Sequence, residues 1–311
     1  MAMRFGAAFW IQRTGWPELR DAVLRAEAAG FDDVWVDDHL LCDEGDPDDG
    51  KLEGWTTLAA LAAVTTRARI GHLVTANSFR NPGVTAKMAV TLDHLSGGRA
   101  VLGLGAGWFE REHDAFGLKF GPWMGERLDR LAEAVPLIRR LLDGERVTHE
   151  GPHYRFYDAV CAPRPVQAHL PILLGGSGPK KTLPLVARSA DIWNTWGSPE
   201  TLAASDHLLR TACEAVGRDE REIERTVYLN VVIRDSRAAA QRAWKGWFRT
   251  HHPPRNEGTL ETGGTVDDVA TLMERYRAVG FEHPILVFRS PWDLETIDRL
   301  PELRARLHGA A

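Results

Sequence analysis

Cysteine is scarce in this chain and gives no sign of a disulfide framework or a metal site. Only three cysteines, Cys42, Cys161 and Cys213, occur among 311 residues. They are odd in number and widely spaced, and they form no C-x-x-C pair, so the sequence predicts neither a disulfide scaffold nor a cysteine-ligated metal. Such cysteine usage is typical of a reducing compartment, and we expect a cytoplasmic protein.

Long apolar runs and a strong charge of one sign are also missing. No stretch approaches the roughly 20 apolar residues that a membrane-spanning helix needs, and the N-terminus has no cleavage region of the signal-peptide kind. The formal net charge of -5 is only mildly acidic, which disfavours nucleic acid and anionic membranes as the main partner. A small-molecule substrate is the partner that these absences favour.

What the chain does have is a repeating pattern of short apolar runs and amphipathic segments. Eight runs that read as buried strands are each followed by a helical pattern, and strands buried on both faces are typical of parallel sheets. Eight such units close most naturally into a (β/α)8 TIM barrel. The fold class is therefore α/β, with residues 1–311 as a single domain. The predicted strands cover residues 4–10, 32–39, 69–76, 100–107, 171–176, 191–196, 225–233 and 284–288.

Two stretches lie outside this repeat and predict insertions after strands 4 and 7. Residues 145–170 have the pattern of a β-hairpin with a proline-rich exit. Residues 250–265 form a long loop before an extra helix at 266–279, and loops of this length often cover or line a site.

Polar residues end the second strand, in the segment "DDVWVDDHLL" at 32–41. Active sites of this architecture lie at the C-terminal ends of the strands. Asp38 and His39 are therefore candidates for proton transfer, because a carboxylate beside an imidazole raises its pKa and orients it. An Asp-capped turn with a solvated histidine is the alternative.

Glycine-rich segments follow the fourth and fifth strands. "LGLGAGWFEREHDAFG" (102–117) is not a dinucleotide fingerprint, since Trp108 stands where the third glycine is required, but its glycines allow a flat ring to approach the backbone. "LLGGSGPKKT" (173–182) lacks the spacing of a P-loop, and it predicts phosphate binding by N–H groups before a helix that starts near Pro179.

Two further patterns are weaker. The acidic run "CDEGDPDDGKLE" (42–53) fails the calcium-loop frame, because Asp49 and Trp55 occupy the positions of the required glycine and glutamate; a solvated, mobile loop is expected. The histidine pair at 251–252 has no third ligand at metal spacing, so no metal is predicted.

Taken together, "WVDDH", "LVTANSFRNP", "TLDHLSGGR", "LGLGAGWFEREHDAFG" and "PILLGGSG" resemble the luciferase-like monooxygenase superfamily. The branch they resemble most uses the deazaflavin coenzyme F420. The resemblance covers nearly the whole chain in order, and it implies F420, or alternatively FMN, bound at the strand C-termini of a protein that is commonly a homodimer.

The resemblance also implies roles for individual residues. Asp38 and His39 match an Asp-His pair beside the deazaflavin ring, with His39 handling a proton near C5. A non-prolyl cis peptide is expected at Leu73–Val74, in a bulge that backs the ring together with Thr75. Ala106, Gly107 and Trp108 would flank the pyrimidine side of the ring, and Gly175, Gly176, Ser177 and Gly178 would hold the phosphate.

One departure bears on the substrate. Some F420-dependent sugar-phosphate dehydrogenases of the family carry glutamate, a second acid, where Trp108 stands. A bulky apolar substrate stacked among Trp10, Trp55, Trp108 and Trp196 fits this chain better than a sugar phosphate.

The sequence is therefore compatible with three functions. The favoured one is an F420-dependent oxidoreductase that transfers a hydride between the deazaflavin C5 and a small apolar substrate. The second is an FMNH2- and O2-dependent monooxygenase on the same fold, and the third is a non-catalytic protein that binds F420 or flavin.

Overall fold

The apolar runs form the strands of one closed parallel barrel, which confirms the predicted (β/α)8 fold. The computed structural model describes residues 3–46, 48–251 and 262–309. In this part of the chain the barrel strands are β1 (Gly6–Trp10), β2 (Asp33–Val36), β3 (Arg69–His72), β4 (Thr75–Ala76), β5 (Ala100–Gly105), β8 (Ile172–Gly175), β9 (Ile192–Thr195), β10 (Glu224–Leu229) and β11 (His283–Arg289).

The barrel closes through the pairing of β3 with β5. Neighbouring strands follow the order β3-β2-β1-β11-β10-β9-β8-β5, and all these pairs are parallel. The predicted third strand is interrupted: β3 ends at His72, and β4 resumes at Thr75 beside Leu104 of β5. The two short strands together fill one of the eight positions of the barrel.

Side chains that alternate along the strands make two cores. A small cluster fills the inside of the barrel, with Trp35 as its largest member, and its other residues are Ala8, Leu73, Val101, Leu173, Ile192, Ile285 and Val287. The opposite faces of the strands pack against the helices, where Phe9 stacks on Phe288 at 5.6 Å between ring centroids. This filled interior makes the barrel a rigid support for its rim.

The helices begin and end at the residue types that favour helix termini. Helix α1 (Trp16–Ala29) has proline in its first turn and is capped by Gly30, whose φ of 99° is left-handed. Thr265 and Asp268 form a capping box at the start of α9 (Val266–Ala278). The helices are α1 (Trp16–Ala29), α2 (Gly54–Val64), α3 (Pro82–Ser96), α4 (Glu110–Ala115), α5 (Met124–Leu142), α6 (Thr182–Ser189), α7 (Pro199–Val216), α8 (Arg237–His251), α9 (Val266–Ala278), α10 (Leu294–Asp298) and α11 (Leu300–His308).

The first predicted insertion is present as an antiparallel hairpin of β6 (Val147–Glu150) and β7 (Arg155–Ala159). The Tyr154 hydroxyl accepts a hydrogen bond from Asn77 Nδ2 at 2.9 Å, which ties the hairpin to the end of β4. The second predicted insertion lies for the most part outside the described residues, as does His252, although the extra helix after it is α9. None of the helices in the described ranges has the length and hydropathy that a membrane crossing requires.

Candidate active site

The candidate site lies at the mouth of the barrel, meaning the C-terminal ends of the strands and the loops that follow them. The three ionisable residues after β2 separate here into three environments. Asp37 and Asp38 are buried, each 2% exposed, whereas the His39 side chain keeps 18% of its surface exposed. His39 is thus the member of the trio that a ligand at the mouth can reach.

Glu112 holds the imidazole of His39. Its Oε1 lies 2.9 Å from His39 Nδ1, and its Oε2 accepts the amide of Leu40 at 2.8 Å. The Glu112 side chain is 1% exposed. This bidentate arrangement fixes the ring orientation and makes Nδ1 a donor, so Nε2 is the nitrogen left for chemistry.

The second nitrogen of His39 faces another carboxylate. Asp43 Oδ2 lies 3.8 Å from His39 Nε2. Burial by itself lowers the pKa of His39, but the hydrogen bond that its Nδ1–H donates to Glu112 and the nearby Asp43 and Asp37 carboxylates outweigh this effect. The pKa of His39 is therefore raised above its ordinary value, which favours the imidazolium.

Asp38 contacts Arg80 and Thr75 instead of His39, the partner that the sequence predicts. Arg80 donates to both its carboxylate oxygens, Nη1 at 2.6 Å and Nη2 at 3.0 Å, and the Thr75 hydroxyl also donates to it. The expectation that Asp38 orients His39 and raises its pKa is wrong, because the carboxylates facing His39 are Glu112, Asp43 and Asp37. Asp38 instead joins the end of β2 to β4 and to the loop before α3.

The acidic loop is partly buried, contrary to the expectation of a solvated run. Lys51, whose side chain is 2% exposed, forms an ion pair with Asp37 and lies 3.6 Å from Asp43 Oδ1. Burial would raise the pKa of Asp37, but the Lys51 ammonium lowers it overall. The lysine allows two carboxylates of this region to be buried, and no local sequence pattern distinguishes it from its charged neighbours.

The cis peptide expected at Leu73–Val74 is present. It lies between β3 and β4, where the Val74 side chain packs beside the barrel interior. Glycines surround Val74 because larger residues would collide with it: a Cβ on Gly105 would lie 2.6 Å from Val74 Cγ2, and one on Gly175 would lie 3.2 Å from Val74 Cγ1. Leu73 and Val74 thus form an apolar wall at the mouth.

The segment after β5 approaches the same mouth. Gly107 has a φ of 83°, and a Cβ there would lie 2.5 Å from Ser78 Oγ, so this position requires glycine. Ser78 Oγ is 2.7 Å from His113 Nε2, while Phe109 O is 2.8 Å from His113 Nδ1. Both nitrogens of His113 are occupied, so this histidine supports the loop.

The glycine segment after β8 is half-buried and leads into a turn. Gly176, with a φ of 121°, donates its amide to Asn194 O at 3.0 Å and accepts from Trp193 Nε1 at 2.7 Å. The following helix begins at Thr182 instead of near Pro179. Lys181 is paired with Asp129 at 2.5 Å, which directs its charge away from the glycines.

The tryptophans expected to line a substrate pocket differ in their burial and in the groups that they contact. Trp55 is 6% exposed, donates to Thr75 Oγ1 at 2.8 Å and packs on His72, so it supports the wall and offers little surface to a substrate. Trp108 and Trp196 are 56% and 53% exposed. Trp10 lies next to Arg289, whose guanidinium is 5.6 Å from its ring.

A cavity of about 490 Å³ opens beside Arg289, at the ends of β10 and β11. Arg289 donates to both oxygens of Glu44, at 2.5 and 2.7 Å, and to Asn230 Oδ1 at 2.6 Å. The cavity is bounded mainly by aromatic and aliphatic side chains, including Val232, Trp244, Trp247, Val287 and Trp292. This apolar space adjoins the loop that carries His39 and Asp43.

The sequence alone does not mark three of the residues that build this site. Arg80 lies inside the motif "LVTANSFRNP", and Asp43 and Lys51 belong to the acidic run at 42–53. Glu112 belonged to a quoted motif, but its spacing gives no indication that it contacts a histidine 73 positions earlier.

Comparison with known proteins assigns the chain to a family. The sequence profile of the luciferase-like monooxygenases matches residues 3–287, which includes every strand of the barrel up to β11. This chain is a luciferase-like monooxygenase family member.

Relatives of this luciferase-like protein carry names that mention F420. A protein named F420-dependent glucose-6-phosphate dehydrogenase from Kineococcus radiotolerans is 36% identical over 300 residues, covering 88% of this chain and 87% of its own. One of the same name from Microbacterium testaceum is 32% identical and covers 98% of both chains. An F420-dependent secondary alcohol dehydrogenase structure shares the fold, with a TM-score of 0.85 over 99% of both chains at 22% identity.

Proposed function

We propose that this luciferase-like protein is an F420-dependent oxidoreductase that transfers a hydride between the deazaflavin C5 and a small organic substrate. The observation that carries the proposal is the His39 imidazole, fixed at Nδ1 by Glu112 and open at Nε2, at the mouth of the barrel. The names of the two relatives that cover most of this chain support F420 as the cofactor.

The residues at the mouth fit a flat deazaflavin. Leu73, Val74 and Thr75 supply a wall with an apolar face, and Asp38 fixes that wall through Thr75. Ala106, Gly107 and Trp108 would flank the pyrimidine side, where the glycine keeps the backbone accessible. When bound, the deazaflavin supplies the hydride chemistry, while the protein orients it and holds the proton.

Phosphate of the cofactor would be held by Gly175, Gly176, Ser177 and Gly178. These residues are half-buried, and a segment without large side chains lets phosphate oxygens approach backbone N–H groups. The turn between Gly178 and Thr182 moves the helix start away, and the Gly176 amide already donates to Asn194 O, so the other amides of the loop are the proposed donors.

The substrate we propose is uncharged and largely apolar. Three cations around the mouth already have carboxylate partners: Arg80 with Asp38, Arg289 with Glu44 and Lys51 with Asp37. Pairing leaves these cations poorly suited to bind a substrate phosphate. The aromatic cavity beside Arg289 and the exposed rings of Trp108 and Trp196 suit an apolar molecule.

The resemblance also leads us to propose a homodimer in the cytoplasm. Sedimentation equilibrium of the purified protein would test the dimer, with a mass of twice 34.6 kDa as the expected result.

Hydride transfer tests the proposed function directly. The protein is incubated with oxidised F420 and 2-propanol or cyclohexanol that carries deuterium on the reacting carbon. We expect loss of the visible absorbance of the oxidised deazaflavin and one deuterium in the reduced coenzyme, detected by mass spectrometry. His39→Ala should lower the rate by about 10²–10⁴-fold and leave F420 affinity nearly unchanged, whereas oxidation of the alcohols with FMN alone would contradict the proposal.

A further inference from the structure

Asp43 stands out among the ionisable groups at the mouth because its carboxylate is buried and incompletely partnered. Its side chain is 8% exposed, and Oδ1 makes no hydrogen bond to any described residue. The Lys51 ammonium, 3.6 Å from that oxygen, is itself held by Asp37. A carboxylate kept out of water in this way is expected to have a function when it adjoins a reactive group.

Its position relative to His39 suggests that function. The separation of 3.8 Å between Asp43 Oδ2 and His39 Nε2 is too long for a direct hydrogen bond. The separation is short enough for one substrate oxygen atom to lie about 2.8 Å from Asp43 Oδ2 and also from His39 Nε2.

We propose that Asp43 is a second catalytic residue, which exchanges a proton with a substrate oxygen held between its carboxylate and His39 Nε2. This inference rests on the proposed function. It identifies the reacting group of the substrate as an alcohol in the oxidised direction or a carbonyl in the reverse direction.

The chemical step balances without any further reagent. In alcohol oxidation, the C–H bond breaks and its electron pair leaves as a hydride for oxidised F420, which is reduced by two electrons. The O–H proton passes to Asp43 Oδ2, and the carbon is oxidised by two electrons to a carbonyl. His39 is an imidazolium in this step: its Nδ1–H is bound by Glu112, and its Nε2–H donates to the substrate oxygen throughout.

The surroundings of Asp43 suit a group that gives and takes a proton. Burial and the neighbouring Asp37 carboxylate raise the pKa of Asp43, although the charge of His39 acts in the opposite direction. A raised pKa makes a carboxylate a stronger base in the oxidation and a usable acid in the reduction. The ionisable groups around it are Asp37, His39, Cys42, Glu44, Lys51 and Tyr228.

The variant that tests the inference is Asp43→Asn, with Asp46→Asn as its control. Asp46 lies in the same loop but is exposed. With cyclohexanol and F420, Asp43→Asn should lower kcat by about 10²–10⁴-fold, while F420 affinity measured by fluorescence stays within about twofold. Asp46→Asn should retain the wild-type rate. Asp43→Ala should be partly rescued by added formate, which a purely structural role would not allow.

The pKa of Asp43, measured without cofactor or substrate, is a second test of the inference. Carboxyl NMR of the protein alone, with Asp43→Asn used for assignment, should show Asp43 titrating above the ordinary aspartate range. Wild-type turnover that persists in Asp43→Asn, or an Asp43 titration at or below the ordinary range, would overturn this inference alone. Failure of the wild-type protein to reduce F420 with either alcohol would remove the proposed function and the inference with it.

Discussion

His39 and Glu112 are joined by a 2.9 Å contact between Nδ1 and Oε1, although 73 residues separate them. The contact brings the loop after β2 together with α4, which follows β5. Since Glu112 also binds the Leu40 amide, it fixes both the backbone and the ring of the segment that carries His39.

Glu112→Gln is therefore expected to lower the pKa of His39. The carboxylate stabilises the imidazolium through its charge and its hydrogen bond, and glutamine keeps only the shape. Histidine NMR of the protein without ligands would measure the shift. The matched control is Glu110→Gln, two positions away on an exposed part of the same helix; an equal shift in both variants would refute the role of Glu112.

Asp38→Asn should behave differently. Among the described residues, removing this charge leaves the exposed Glu53, at 3.2 Å, as the one carboxylate paired with Arg80. Breaking one side of a buried ion pair costs about 3–5 kcal/mol. Because Arg80 is partly exposed, we expect a loss near the lower end of that range in denaturant unfolding. The pKa of His39 should change much less than in Glu112→Gln, and a larger change would restore Asp38 as the partner of His39.

A buried charge cluster at the opposite end of the barrel predicts a pH-dependent contribution to stability. His283 Nε2 lies 2.6 Å from Asp33 Oδ2, and Arg69 and Glu224 complete the cluster. Burial lowers the pKa of His283, but Asp33 and Glu224 raise it above its ordinary value overall. The stabilisation should therefore be complete below pH of about 6.5 and decline as pH rises through the folded-state pKa.

Two histidine variants compare the stability contribution of this buried ion pair with that of a surface ion pair whose N–O distance is similar. His283→Gln should cost about 3–5 kcal/mol at pH 6, and the difference from wild type should shrink at higher pH. His169→Gln removes a contact of 2.7 Å to Asp191 on a side chain that is 56% exposed, and it should cost at most about 1 kcal/mol. Equal losses in urea unfolding would contradict the cluster's role.

Two glycines with left-handed backbones offer a test of the cofactor cradle. Gly107 and Gly117 have φ values of 83° and 65°, so alanine strains both. Of these two positions, only Gly107 would bring the new Cβ against another group, Ser78 Oγ at 2.5 Å. At Gly117 no atom of another described residue beyond its chain neighbours lies within 4 Å. F420 affinity should fall at least tenfold in Gly107→Ala and stay near wild type in Gly117→Ala; equal affinities would exclude Gly107 from the cradle.

The sequence predicted the barrel because its strands are short apolar runs separated by helical patterns. It also placed His39 at the mouth, since that follows from the end of β2, and the motif around Val74 correctly indicated the cis peptide. These features depend on residues close together in the chain or on a motif that keeps its spacing.

The charge pairing could not be predicted in the same way. Whether His39 meets Asp38, Asp43 or Glu112 depends on how three loops fold over the mouth, and adjacent residues such as Asp38 and His39 turn to different sides. The burial of Asp43 likewise depends on Lys51, whose position beneath the loop no local pattern reveals.

Titration of the purified protein with F420 and, separately, with FMN shows which of the two cofactors the barrel mouth binds. We expect tight F420 binding, detected by quenching of deazaflavin fluorescence, with an affinity at least tenfold higher than for FMN. His39→Ala should keep this preference, because the wall and the glycine segments hold the ring and phosphate. A clear preference for FMN, or the absence of saturable F420 binding, would refute the assignment of F420 as the cofactor.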